Sequence, residues 1–210
     1  MHIPDGFLSA PTCVGTWLVS VGSLGYCVKK AQAVLKERMV PLMGVMSAFI
    51  FAAQMINFPV MGGTSGHLLG GVLAAILLGP FAGAVVLSVV LMAQCFIFQD
   101  GGLTALGANI LNMSIVGTIG GYGIYFFIRK ALGPKKGMMI ATVVAAWSSV
   151  VLASAACSVE LAVSGLSSLK TILTAMAGIH ALIGIGEAVI TWLVVRFVLA
   201  VRRDLIYGEG

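Results

Sequence analysis

Long apolar runs separated by short polar breaks set the pattern of this chain. From Met39 to Phe98 there is no Asp, Glu, Lys or Arg. That stretch is too long for one membrane crossing of about 20 residues and must hold several. Reading apolar runs against glycine, proline and charge predicts seven helices: Leu8–Val28, Met39–Ile56, His67–Leu78, Phe81–Phe98, Asn109–Ile128, Met138–Ser158 and Thr171–Val201. The third is short for a full crossing. It stops at Gly79-Pro80, because proline lacks an amide donor and restricts the residue before it. The stretches Asn57–Gly66 and Gln99–Ala108 are read as loops.

Composition turns this pattern into a class. Of the 210 residues, 60% are hydrophobic and 9% charged, against about 25% charged in a soluble domain. Mean hydropathy is +1.09. The expected fold is an all-α polytopic membrane bundle, a single integral domain over residues 1–210. Four cysteines (Cys13, Cys27, Cys95, Cys157) lie scattered in apolar segments and read as buried small hydrophobes, neither a zinc set nor a disulfide framework. No basic stretch precedes Lys29, so no signal peptide is expected. Histidine is too large to favour trimming of the residue before it, and Met1 is expected to be retained.

The net charge of +5 could suggest an anionic partner, but its placement argues for topology instead. Lys29, Lys30, Lys36 and Arg38 follow the first helix. Arg129, Lys130, Lys135 and Lys136 lie between the fifth and sixth, and Arg196, Arg202 and Arg203 end the seventh. With seven alternating helices these eleven share one side, and only Lys170 falls on the other. The positive-inside rule then places the N-terminus outside and the C-terminus in the cytoplasm. The glycine pairs Gly66/Gly70, Gly79/Gly83 and Gly117/Gly121 are read as close helix contacts.

The candidate chemistry begins at the second residue. In Met1-His2-Ile3-Pro4-Asp5-Gly6, the α-amine of Met1, the backbone nitrogen of His2 and the His2 imidazole can form two fused chelate rings. They place three nitrogens in one plane, a tetragonal set suited to Ni(II) or Cu(II). One more ligand is needed, and the chain has only His67 and His180 to offer as further histidines. Both fall toward the expected outer face. Asp5, Gln94, Gln99, Asp100, Asn109 and Asn112 are candidates to orient the ligands, with helix capping or turn formation as the alternative role. His180 and Glu187 sit seven residues apart on one face of the seventh helix. Intramembrane ionisable groups are functional candidates, though a packing hydrogen bond is an equal reading of Glu187. Glu160 is placed near the outer end of the sixth helix.

Two other function classes are considered. Gly63-Thr64-Ser65-Gly66 fits the G-x-S-G of rhomboid-type intramembrane serine proteases, with Ser65 and His180 as a dyad. That reading leaves Met1-His2 without a purpose. A proton-coupled secondary metal carrier using Glu187 and His180 is the other. No G-x-x-x-x-G-K-[ST] occurs, so ATP hydrolysis by that route is excluded for this chain.

Several segments together resemble one family. They are Met1-His2-Ile3-Pro4-Asp5-Gly6-Phe7-Leu8, Phe58-Pro59-Val60, Gly63-Thr64-Ser65-Gly66-His67-Leu68, Gly79-Pro80, Phe98-Gln99-Asp100-Gly101-Gly102, and His180-Ala181 with Glu187. The chain is similar to the CbiM/NikM family, the substrate-capture (S) subunits of energy-coupling-factor importers for nickel and cobalt. The resemblance implies a helical bundle (residues 8–210) into which an N-terminal metal-binding segment (1–7) tucks. It implies a square-planar Ni(II) or Co(II), as transported substrate, held by Met1, His2 and His67, with no organic cofactor and no catalytic residue. It also implies partners: a transmembrane coupling (T) subunit, a cytosolic ATPase pair and often a small accessory membrane subunit. The expected location is the plasma membrane of a prokaryote. Four nitrogens in a plane favour nickel.

Overall fold

The computed structural model describes residues 1–37, 39–60 and 64–209, and the side chains of residues 134–136 are left aside. Arg38, Gly63 and the side chains of Lys135 and Lys136, all used above, therefore lie outside the described residues.

The chain is mainly helical. The rods are α1 (Ala10–Val34), α2 (Met39–Met55), α3 (Gly71–Leu78), α4 (Pro80–Phe98), α5 (Leu106–Leu132), α6 (Pro134–Val163) and α7 (Leu169–Val201). Among the described residues, four helices are long and apolar enough to cross a membrane: α4, α5, Gly137–Val163 within α6, and α7. The starts of α1 and α7 follow from local chemistry. Ser9 and Ser168 each accept a hydrogen bond from the amide three residues on, at Thr12 and Thr171. α4 and α6 each open on a Gly-Pro pair, where the missing proline N–H falls among donors that a helix start leaves free anyway. Within α5, Ile110–Gly120 runs as a π-helix.

Two expectations are corrected. The third helix does not begin at His67 but at Gly71. The helix does not reach back past Gly70, which takes a left-handed conformation (φ +78°) that glycine adopts without a Cβ clash. Eight helical residues span about 12 Å, too short to cross alone. The stretch 57–66 is not wholly a loop either. Phe58–Val60 and Thr64–Gly66 pair antiparallel, Pro59 opposite Ser65. Strands of three residues, one carrying a proline, leave no alternation to read.

The buried side chains form two clusters stacked along the bundle. One gathers Met1, Ile3, Leu69, Leu106, Met113 and Met176. The other gathers Ile50, Leu73, Leu87, Tyr125, Met138 and Ile206. Residues after α7 close the second end: Tyr207 N–H donates to Ile76 O at 2.9 Å, and Arg129 pairs with Glu209. Lys36, Arg129, Lys130, Arg202 and Arg203 collect at this end. The N-terminal segment lies at the other.

Candidate metal centre

The first three residues are inside the protein. Met1 and Ile3 are fully buried, His2 is 4% exposed and His67 1% exposed. What holds them there is a set of bonds to the stretch 99–109. Ile3 N–H donates to Asn109 Oδ1 (2.8 Å), while Ile3 O accepts from Asn109 Nδ2 (3.2 Å) and Gly102 N (2.8 Å). The Asp5 carboxylate accepts from Leu103 N (3.1 Å), Thr104 N (2.7 Å) and Thr104 Oγ1 (2.5 Å). These bonds to Thr104 hold Asp5 below its ordinary pKa. The Gly101-Gly102 pair is explained by closeness: a Cβ on Gly102 would run into the backbone nitrogen of Asp5.

Four nitrogens are brought together by this packing. The Met1 amine lies 2.8 Å from His67 Nε2. Met1 N, His2 N and His2 Nδ1 each approach Ser65 Oγ, at 3.2, 3.2 and 3.3 Å, so all three face one point. The amine also contacts Ser65 O. The two imidazole rings stand 4.6 Å apart, tilted by 34°.

The outer nitrogen of each ring is engaged, and this fixes the tautomers. His67 Nδ1 sits 2.7 Å from Leu68 O, which can only accept, so Nδ1 carries the proton and Nε2 the lone pair. His2 Nε2 sits 3.0 Å from Gln94 Oε1, leaving Nδ1 as the lone-pair nitrogen. Both lone pairs thus belong to the nitrogens of the cluster. Burial also strips charge from the group. It lowers the Met1 amine to about 5 and His2 to about 3, the neighbouring amine adding to the second shift. Both are neutral near pH 7.

The other candidates fall in different places. Asp100 Oδ1 stands 3.6 Å from His2 Nδ1 and its other oxygen accepts from Asn57. Gln99 ends α4 in a left-handed conformation. Asn112 donates to Glu160 Oε2 at 2.6 Å instead of to the cluster. His180 is buried, its Nδ1 bonded to Met176 O at 2.8 Å and its ring also meeting the Ser65 backbone. The Ser65 hydroxyl faces Met1 and His2 instead of His180, so the protease reading lacks its catalytic pair. Glu187 is buried in α7 with both oxygens on backbone amides, Leu69 N and Gly70 N, each at 2.7 Å.

Two contacts were not foreseen from the sequence. Ser65 is central to the cluster by its hydroxyl and carbonyl, and Gln54 donates to Leu69 O at 2.8 Å. A glutamine inside a long charge-free apolar run was the available signal for the second. Among the described residues no three His, Cys, Asp or Glu side chains gather into a metal-binding group. The cluster escapes that pattern because two of its nitrogens belong to the main chain.

Two solved structures of the same shape are described as transition metal transporters. One, described as a truncated transition metal transporter, superposes with a TM-score of 0.90 at 34% identity, covering 95% of this chain and 99% of the other. The chain belongs to the CbiM family: the model for the cobalt uptake substrate-specific transmembrane region matches residues 2–205. A chain assigned as a fused nickel transport protein, NikMN, in Archaeoglobus fulgidus is 41% identical over 208 residues, which is 98% of this chain and 68% of that one. A chain assigned as a metal transport protein in Haloquadratum walsbyi is 38% identical over 211 residues, 100% and 94% of the two. The protein is thus a transport protein of the membrane and not an enzyme.

Proposed function

We propose that this chain is the substrate-capture (S) subunit of an energy-coupling-factor importer. It takes Ni(II), or Co(II), from outside the cell at Met1, His2 and His67. Residues 1–7 form the capturing segment and residues 8–210 the bundle that seats it. The observation that carries the reading is the convergence of Met1 N, His2 N and His2 Nδ1 on one point, with His67 Nε2 2.8 Å from the amine. Two nitrogens bound side by side at about 2.0 Å from one ion stand about 2.8 Å apart, so this pair already has a ligating separation. Ion entry needs the His2 amide to lose its proton, and the other nitrogens already present lone pairs. A planar set of four nitrogens favours Ni(II).

The basic end of the bundle, with Arg129 and Arg203, is the cytoplasmic one. The N-terminal segment then faces outside, and the seven rods sit in the plasma membrane of a prokaryote. The run 64–78 crosses as strand, irregular chain and short helix in succession. Such backbone is tolerated at depth where protein covers it. ATP hydrolysis belongs to a cytosolic ATPase pair, joined through a transmembrane coupling subunit, with a small accessory membrane subunit as a further partner.

Calorimetric titration of the detergent-purified chain with Ni(II) tests the reading. One ion per chain is expected, with affinity reduced at least about 100-fold in His67→Ala. Affinity unchanged in that variant would overturn it.

A further inference from the structure

We propose that Glu187 is a positioning residue for His67, acting through the single peptide unit between Leu68 and Leu69. The inference rests on the reading of Met1, His2 and His67 as the capture site, and adds to it a distant residue that sets how firmly the fourth nitrogen is presented.

His67 lies between the second strand and α3, where the backbone makes neither helix nor sheet bonds. Buried amides in such a segment need partners from elsewhere. Glu187, 118 residues away in α7, supplies them: Oε2 accepts from Leu69 N and Oε1 from Gly70 N, both at 2.7 Å. The carboxylate is 2% exposed. A purely structural role would end there.

The next bond carries the argument further. The N–H of Leu69 and the C=O of Leu68 are opposite ends of one planar, rigid peptide. Leu68 O is the atom that accepts from His67 Nδ1–H, at 2.7 Å. A continuous line therefore runs from the Glu187 carboxylate to Leu69 N–H, across the peptide to Leu68 O, to His67 Nδ1–H and through the ring to Nε2, 2.8 Å from the Met1 amine. A carboxylate that orients a ligating histidine usually touches its free nitrogen directly. Here a peptide group stands between them. Accepting from Leu69 N–H makes Leu68 O a better acceptor, since hydrogen bonds in a chain polarise one another. The same bond fixes the peptide plane, and with it the direction of the imidazole. Gln54 holds Leu69 O at 2.8 Å, the far end of the next peptide, whose Gly70 N–H rests on Glu187 Oε1, so it steadies the second of the two carboxylate bonds and not the one that leads to His67.

A double-mutant cycle on the whole chain tests this, with Ni(II) titrated into the native protein, Glu187→Gln, His67→Ala and the double variant. Glutamine keeps the size of the side chain but turns an NH2 group toward one of the two amides. Glu187→Gln alone is expected to weaken Ni(II) binding about tenfold or more. In the His67→Ala background it is expected to change nothing, because its route to the metal is gone. The visible absorption band of the bound Ni(II) should move in Glu187→Gln. Should Glu187→Gln fail to give monodisperse protein, Glu187→Asp, which keeps the charge but reaches less far, takes its place in the cycle. An equal loss in both backgrounds, or no loss in the folded single variant, would overturn the proposal. Native affinity in His67→Ala would remove the capture site itself, and this inference with it.

Discussion

The chemistry rests on individual nitrogens and on the charge each carries. Burial holds the Met1 amine down to about 5 and His2 to about 3, so both are neutral in the working range. The His2 amide is then the one group that must still release a proton when the ion enters. Nickel affinity is expected to fall about tenfold per pH unit as pH drops from about 8 toward 5. Below about 5 the fall steepens, because the amine takes up a proton of its own. Titrations across that range check this, and an affinity independent of pH would contradict it. Ser65→Ala is expected to leave nickel binding near the native value, the ion replacing contacts the hydroxyl makes, while lowering the stability of the metal-free chain by about 1 kcal/mol in thermal unfolding. That Met1, His2 and His67 lie together was legible because a histidine in second place can chelate by position and few other histidines exist to join it. Ser65 as a contact was not, since hydroxyls recur throughout glycine-rich spans and nothing local says which of them faces an amine.

The elements that seat these residues are short and irregular. The N-terminal segment adds no helix to the bundle and is held by Asn109 and by the amides of the loop after α4. Gly102→Ala is expected to unseat it, because the added Cβ collides with the Asp5 backbone. Nickel affinity should drop at least about tenfold with helical circular dichroism unchanged, and an unaltered affinity would show that the segment is not held this way. Helix ends set by local residues were readable, as at Gly79-Pro80. The start of α3 was not, because it depends on the left-handed turn at Gly70, one of several glycines in this stretch where the chain could have turned. The end of α1 ran six residues past the expected Val28, to Val34, since apolar periodicity stops where charge begins but helical propensity does not.

For the whole molecule, apolar runs carried most of the helical architecture, because a bilayer demands helices. The two-ended core follows from this: an N-terminal cluster at one end, basic residues and the Tyr207 tail at the other. Concentrative nickel uptake is expected in proteoliposomes only when ATPase and coupling subunits are present with ATP inside. Uptake driven by a proton gradient with this chain alone would favour the carrier alternative. The central claim is that the main-chain amine of Met1 is itself a ligand. Comparing Ni(II) titration of the chain ending at a free Met1 with that of a variant carrying one extra residue before it tests this most directly. The account predicts tight one-to-one binding in the first and its loss in the second, both remaining folded. Equal affinity in the two would contradict it.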